Sequence, residues 1–127
     1  RTRILRYSQP NPPGPVFKQG YHDFIQQIRT AYGAALPIFL ACGPMIGACG
    51  WVRGSRTAAD TGSGPTGNPC CQYIQEVVLN ETNVWYLDLT KINLQPSDYG
   101  CYGHPSVAGH KKMAAAAEPV IARILGW

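Results

Sequence analysis

The residues best suited to chemistry stand in one run, Gly100-Cys101-Tyr102-Gly103-His104-Pro105-Ser106-Val107-Ala108-Gly109-His110. An imidazole titrates near neutrality, so it can take a proton and return it within one reaction. His104 precedes Pro105, whose ring stiffens the backbone, and a helical pattern follows at once. This is a loop that delivers a side chain just before a helix, where open α/β sheets display their catalytic groups. A His-Pro pair taken alone reads as a polar loop residue, and His110 as a histidine on a helix surface or satisfied in a core.

The thiols are the second group, at Cys42, Cys49, Cys70, Cys71 and Cys101. None forms a Cys-x-x-Cys pair, and His22, His104 and His110 lie at no zinc-ligand spacing from them, so no metal or other cofactor is expected. Their number is odd, so at least one thiol is free or pairs outside the chain. Neighbours in sequence bond each other with difficulty, so Cys70 or Cys71 is expected to meet Cys42, Cys49 or Cys101. A bridge from Cys101 would pin the His104 loop. Asn80-Glu81-Thr82 is an N-glycosylation acceptor triplet. Together with the cysteines it points to an oxidising compartment and a secreted, extracellular chain.

The elements that must position these residues follow from periodicity. Residues 1–15 end in Gln9-Pro10-Asn11-Pro12-Pro13-Gly14-Pro15 and read as an extended lead-in. Phe17, Tyr21, Phe24, Ile25, Ile28 and Tyr32 recur at offsets of three and four, an amphipathic helix closed by Gly33. Leu36 to Cys42 is a continuous apolar run, a buried parallel strand ending at Gly43-Pro44. Residues 47–68 are glycine-rich and without periodicity, an inserted loop. Cys71 to Leu79 carries a second helical stripe, and Val84 to Leu89 a second buried strand. Leu94 to Pro105 is a turn-rich loop. A last helix starts near Ser106, its N-cap, and holds Pro119, which should kink or split it.

Helix and strand alternate, which implies a parallel sheet with helices on both faces. Only two strands are visible, so the single domain spanning residues 1–127 is expected to be part of a larger α/β unit. Composition narrows the classes further. At 127 residues, 45% hydrophobic and 14% charged, the chain is globular rather than disordered. A net charge of +4 is too small to argue for nucleic acid. No apolar run nears the roughly 20 residues that span a bilayer, so no membrane association is expected. The first residue is Arg rather than Met, which reads as a processed product or part of a longer gene, and no apolar signal core follows Arg1-Thr2-Arg3.

The run from Gly100 resembles the C-terminal signature of the SGNH (GDSL-type) hydrolases, most of all their carbohydrate-esterase branch. That branch reads approximately Gly-Cys-Asp-x-His-Pro-Ser-Val-x-Gly-His-x-Lys-Met-Ala, against Gly100 to Ala114 here. Upstream, Tyr21 to Tyr32, the strand to Cys42, Gly43-Pro44-Met45 and Val84 to Leu89 are similar to the family's helix, strand, Gly-Pro-Met turn and following strand. The resemblance covers roughly residues 16–46 and 69–125. It implies a flavodoxin-like three-layer αβα sandwich with parallel strands, of which this chain is the C-terminal half. It also implies ester hydrolysis in which His104 takes the proton of a serine nucleophile.

The same comparison shows which parts are elsewhere or changed. No Gly-Asp-Ser block occurs, and Ser8, Ser55, Ser63, Ser97 and Ser106 all stand in other contexts. Tyr102 occupies the place of the family's orienting Asp, and Asp98 is near in sequence but at another position. Leu5-Arg6 stands where the oxyanion-hole Asn-Asp would fall. Two readings result. In the first, the chain is the His-bearing part of a carbohydrate O-deacetylase acting on acetylated polysaccharide or a small ester, and it requires an N-terminal half or another chain to complete its sheet. In the second, it is a catalytically degenerate relative, an extracellular structural or carbohydrate-binding component.

Overall fold

The computed structural model describes residues 13–44 and 69–127. The residue 1–12 part of the lead-in, the 47–68 insertion and Cys49 lie outside the described residues. The order is α1 (Gly14–Tyr32), β1 (Ile38–Cys42), α2 (Pro69–Leu79), β2 (Val84–Asp88) and α3 (Val107–Leu125), with 3-10 turns at Pro96–Asp98 and Cys101–Gly103 before α3. β1 and β2 form a two-stranded parallel sheet in the register Ile38–Val84, Leu40–Tyr86, Cys42–Asp88. The fold is mixed helix and strand, and α2 carries the chain from one strand to its parallel neighbour.

The proline-rich lead-in stops earlier than its composition suggests. Pro13 is the N-cap of α1 and Pro15 stands in its first turn, where a missing N–H costs nothing because those donors have no helical partner anyway. α1 stays close to α2 at this end: a Cβ built on Gly14 would come within 2.8 Å of the Tyr73 ring, so any larger residue must displace that ring. The rings of Phe17 and Tyr21 are 4.9 Å apart, and those of Phe17 and Tyr73 5.7 Å. Ile25, fully buried at 0% exposure, joins Ile38, Leu40, Ile74, Val77 and Val84 in one apolar core. α1 and α2 thus cover the sheet face that carries Ile38, Leu40, Val84 and Tyr86.

The opposite face is unevenly covered. Ala41 is exposed, Trp85 is 41% exposed and Phe39 half-buried, whereas Leu87 and Leu89 are buried. α3 packs on the Pro96–Asp98 turn.

Polar contacts fix the ends of the strands. Arg29 near the end of α1 donates from Nη1 to the carbonyls of Ala34 (2.6 Å) and Leu36 (2.7 Å), and from Nη2 to those of Thr82 and Asn83. One guanidinium thereby joins the α1–β1 turn to the α2–β2 turn. Asn83 adopts φ +56°, a left-handed conformation asparagine tolerates, and its Nδ2 donates to the Ala35 carbonyl at 2.8 Å. Lys18 Nζ lies 2.6 Å from Glu76 Oε2, and His22 Nδ1 2.5 Å from Glu81 Oε1, so an ion pair and a histidine–carboxyl hydrogen bond also tie α1 to α2 and the turn after it. The Lys18 ammonium and then the Gln72 amide hold the Glu76 carboxyl below its ordinary pKa.

Boundaries shift by a few residues. β1 begins at Ile38, after Pro37, rather than at Leu36; α2 begins at Pro69 rather than Cys71. α3 runs unbroken from Val107 to Leu125 with Pro119 inside it, so the expected split does not occur. Pro119 and Ala115, whose carbonyl loses the Pro119 N–H, are both exposed, and solvent can serve that carbonyl. Gly126, with φ +75°, closes α3 in the left-handed conformation that favours glycine.

Candidate functional site

The His104 loop is built largely from its own main chain. Tyr99 and Pro105 form an antiparallel bridge, and between them the Gly100 amide donates to the His104 carbonyl at 2.7 Å. The His104 amide donates to the Cys101 carbonyl at 3.1 Å, closing the Cys101–Gly103 turn. That turn needs a positive φ at Gly103 (+77°), a conformation that suits glycine and strains other residues. His104 itself is extended (φ −74°, ψ 150°) and exposed, so the loop presents the residue at the surface.

Asp98 is the organising group, although sequence comparison sets it aside as misplaced. It is 3% exposed, and its Oδ2 accepts from the Gln95 amide and from Lys112 Nζ, each at 2.6 Å. Its carbonyl accepts the Ser106 amide at 2.7 Å. The Lys112 ammonium, and then the Gln95 amide, hold the Asp98 carboxyl below its ordinary pKa. Asp98 therefore binds the loop's entry at Gln95, its exit at Ser106 and the first turns of α3 at Lys112. The signal available in sequence is the Gln95-Pro96-Ser97-Asp98 capping pattern; the partner Lys112, fourteen residues on, is not readable from it.

Ser106 is the N-cap of α3 as expected, its Oγ accepting the Gly109 amide at 3.4 Å. Gly109 is buried because the chain crosses it closely: a Cβ there would sit 2.4 Å from the Asp98 carbonyl oxygen and 3.0 Å from Pro105 Cβ. The Gly-His pair at the start of α3 is thus a packing requirement at Gly109, while His110 is exposed.

The C-terminal ends of the strands carry a second polar group. Asp88 Oδ1 accepts from the Thr90 amide at 3.0 Å and the Thr90 hydroxyl at 2.5 Å, and Lys91 Nζ stands 3.3 Å from Oδ2. Partial burial pushes the Asp88 carboxyl up, but Thr90 and Lys91 outweigh it and the net shift is downward.

The cysteines divide as the adjacency argument allows. Cys71 bonds Cys42, with Cα atoms 5.6 Å apart, joining the start of α2 to the end of β1. Cys70 is half-buried, and Tyr21, raised first by its own burial, is raised further by Cys70. Cys101 is exposed and is not bonded to another described cysteine, so no such bridge pins the His104 loop. Asn80 and Thr82 of the acceptor triplet are exposed in the α2–β2 turn.

Among the described residues no group of three His, Cys, Asp or Glu side chains could hold a metal ion. No described helix is long and apolar enough to cross a membrane. The arrangement can present one imidazole on a rigid loop, and proton transfer at His104 is the chemistry this offers. No family model, no curated protein and no solved structure matches the chain.

Proposed function

We propose that this chain supplies the general-base histidine of a secreted SGNH-type serine esterase, acting on acetylated polysaccharide or a small ester. The observation that carries the reading is the His104 loop itself: a surface imidazole between two main-chain hydrogen bonds, directly before a helix capped by Ser106. In this reading β1 and β2 belong to a flavodoxin-like sandwich whose remaining strands, with the Gly-Asp-Ser nucleophile and the oxyanion-hole donors, come from an N-terminal half or another chain. His104 would take the proton of the serine hydroxyl as it attacks the ester carbonyl, then give it to the leaving alcohol. An exposed imidazole on a preformed loop suits that task because it meets the incoming serine without rearranging its backbone.

One observation favours a second reading. Tyr102 stands where the resemblance places an Asp, and a phenol is neutral at pH 7, so it gives the imidazolium no opposing charge. A catalytically degenerate carbohydrate-binding or structural relative would need no such charge.

The test is complementation. The chain is produced together with a segment carrying the Gly-Asp-Ser block, and hydrolysis of a small acetyl ester is followed. Hydrolysis that falls by about 10³-fold or more in His104→Ala supports the esterase reading. Undiminished hydrolysis in His104→Ala removes His104 from the mechanism, and a complemented chain that hydrolyses nothing but retains a polysaccharide ligand favours the degenerate reading.

A further inference from the structure

We infer that Asn80 carries an N-linked glycan and that this glycan marks the end of the sheet at which both strands begin. The inference rests on the secretory part of the reading above and not on its catalytic part. Asn80-Glu81-Thr82 is the chain's only usable acceptor, because Asn11, Asn68, Asn83 and Asn93 lack Ser or Thr two residues on. The fold places it well. Asn80 and Thr82 are exposed, and the preceding Leu79 is 84% exposed, so nothing described crowds the turn from outside. From inside, the turn is anchored: Glu81 meets His22 at 2.5 Å, and Arg29 holds the Thr82 and Asn83 carbonyls.

The amide of Asn80 is also half-committed in a way that leaves the required hydrogen. Nδ2 donates one hydrogen to the Glu76 carbonyl at 2.7 Å, and an amide nitrogen carries two. The second is the one the sugar replaces. In the transfer, Nδ2 forms a bond to the anomeric carbon of a lipid-linked oligosaccharide, the bond from that carbon to the pyrophosphate oxygen breaks, and one amide proton is lost. Nothing is oxidised or reduced. An independent feature places the chain where that donor occurs: the Cys42–Cys71 disulfide belongs to an oxidising compartment.

Topology then gives the glycan a position. The strands are parallel, and the Asn83 carbonyl accepts the Ile38 amide where both start. The acceptor turn lies at that end. The chain leaves for the His104 loop from the opposite end, after Asp88. A glycan at Asn80 covers the exposed Leu79 and leaves that other end of the strands uncovered.

The full chain behind a secretory leader is expressed in eukaryotic cells, and the Asn80 peptide is examined by mass before and after peptide N-glycosidase. A glycan at Asn80 is expected, lost in Asn80→Gln and Thr82→Ala and kept in Thr82→Ser. An unmodified Asn80 peptide overturns the inference, whether the chain is recovered from medium or from cells. The readout is a peptide mass, so an inactive His104 leaves it standing, and an unglycosylated but active esterase defeats it alone.

Discussion

In the body formed by α1, β1, α2 and β2, order comes from apolar burial: Ile25, Ile74 and Val77 press on Ile38, Leu40 and Val84, and ionic contacts and a disulfide reinforce them at the edges. Among the described side chains of the loop from Gln95 to Ser106 no apolar one is buried, and the same degree of definition comes from main-chain bonds around one carboxylate. The body spreads its stability over many small contacts, so any one side chain can be exchanged for another of similar volume. The loop concentrates its geometry in Asp98, Gly103 and Gly109, through one carboxylate, one positive φ and one close crossing of the chain. A site that must hold an imidazole in one orientation is better served by the second strategy, because hydrogen bonds have direction and apolar contacts do not.

The largest expected effect separates the two regions through the disulfide. Cys42 and Cys71 are 29 residues apart, and opening a loop of that size costs about 3–4 kcal/mol in the chain-entropy account. Reduction should lower the unfolding free energy of the body by that amount while amide exchange at Ser106 under native conditions stays unchanged. If Ser106 loses protection on reduction, the regions are coupled and the comparison fails.

Gly109→Ala probes the reverse. Its new methyl would meet the Asp98 carbonyl at 2.4 Å, so the loop must shift, at about 1–3 kcal/mol by the usual cost of overpacking. The expected readout is a changed His104 NMR resonance and faster exchange at Ser106, with amides of β1 and β2 unaffected. Equal loss of protection in the strands would show that the body leans on the loop.

Acid gives the smallest effect and sharpens the contrast. Asp98 and Asp88 both have carboxyls held below their ordinary range, the first by Lys112 and Gln95; at Asp88 partial burial pushes upward, and Thr90 and Lys91 outweigh it. A depressed folded pKa means stability that is complete above the unfolded value, about 3.9 for Asp, and is lost as pH falls through the folded value. Loop amides should therefore lose protection progressively below about pH 4; the Glu76 and Asp88 contacts at the edges of the body weaken on the same side of neutrality, while amides around Ile25, whose apolar cluster contains no carboxylate, should follow last. Asp98→Asn should remove this pH dependence at the loop. Persistence of the same titration in Asp98→Asn would assign it elsewhere.

How much of this was readable beforehand follows the same division. The stripe Phe17, Tyr21, Ile25, Ile28 and the two apolar strands are local patterns, so the body's elements could be placed to within a few residues. Their partners could not: that Arg29 reaches Thr82 and Asn83, or that Lys18 meets Glu76, depends on two turns and two helices brought side by side. At the loop, His104 and the Ser106 cap were legible from local types, but the role of Asp98 was not, since it depends on Lys112 one helix away. Pro119 does not divide α3, because the cost of a proline inside a helix is one lost hydrogen bond and a local clash, which a long helix can absorb without ending. The Cys42–Cys71 pairing was one of several options that adjacency left open.

The bond between Cys42 and Cys71 also makes the intervening stretch a closed ring attached to the body at one covalent knot. A peptide bond cut anywhere between residues 43 and 70 leaves a single molecule until a reductant reaches the sulfurs. Because ring closure costs free energy only as the logarithm of length, lengthening or shortening that stretch changes the stability of the body little. The ring is where this chain can accept new sequence at little cost to the core of Ile25, Ile38 and Ile74.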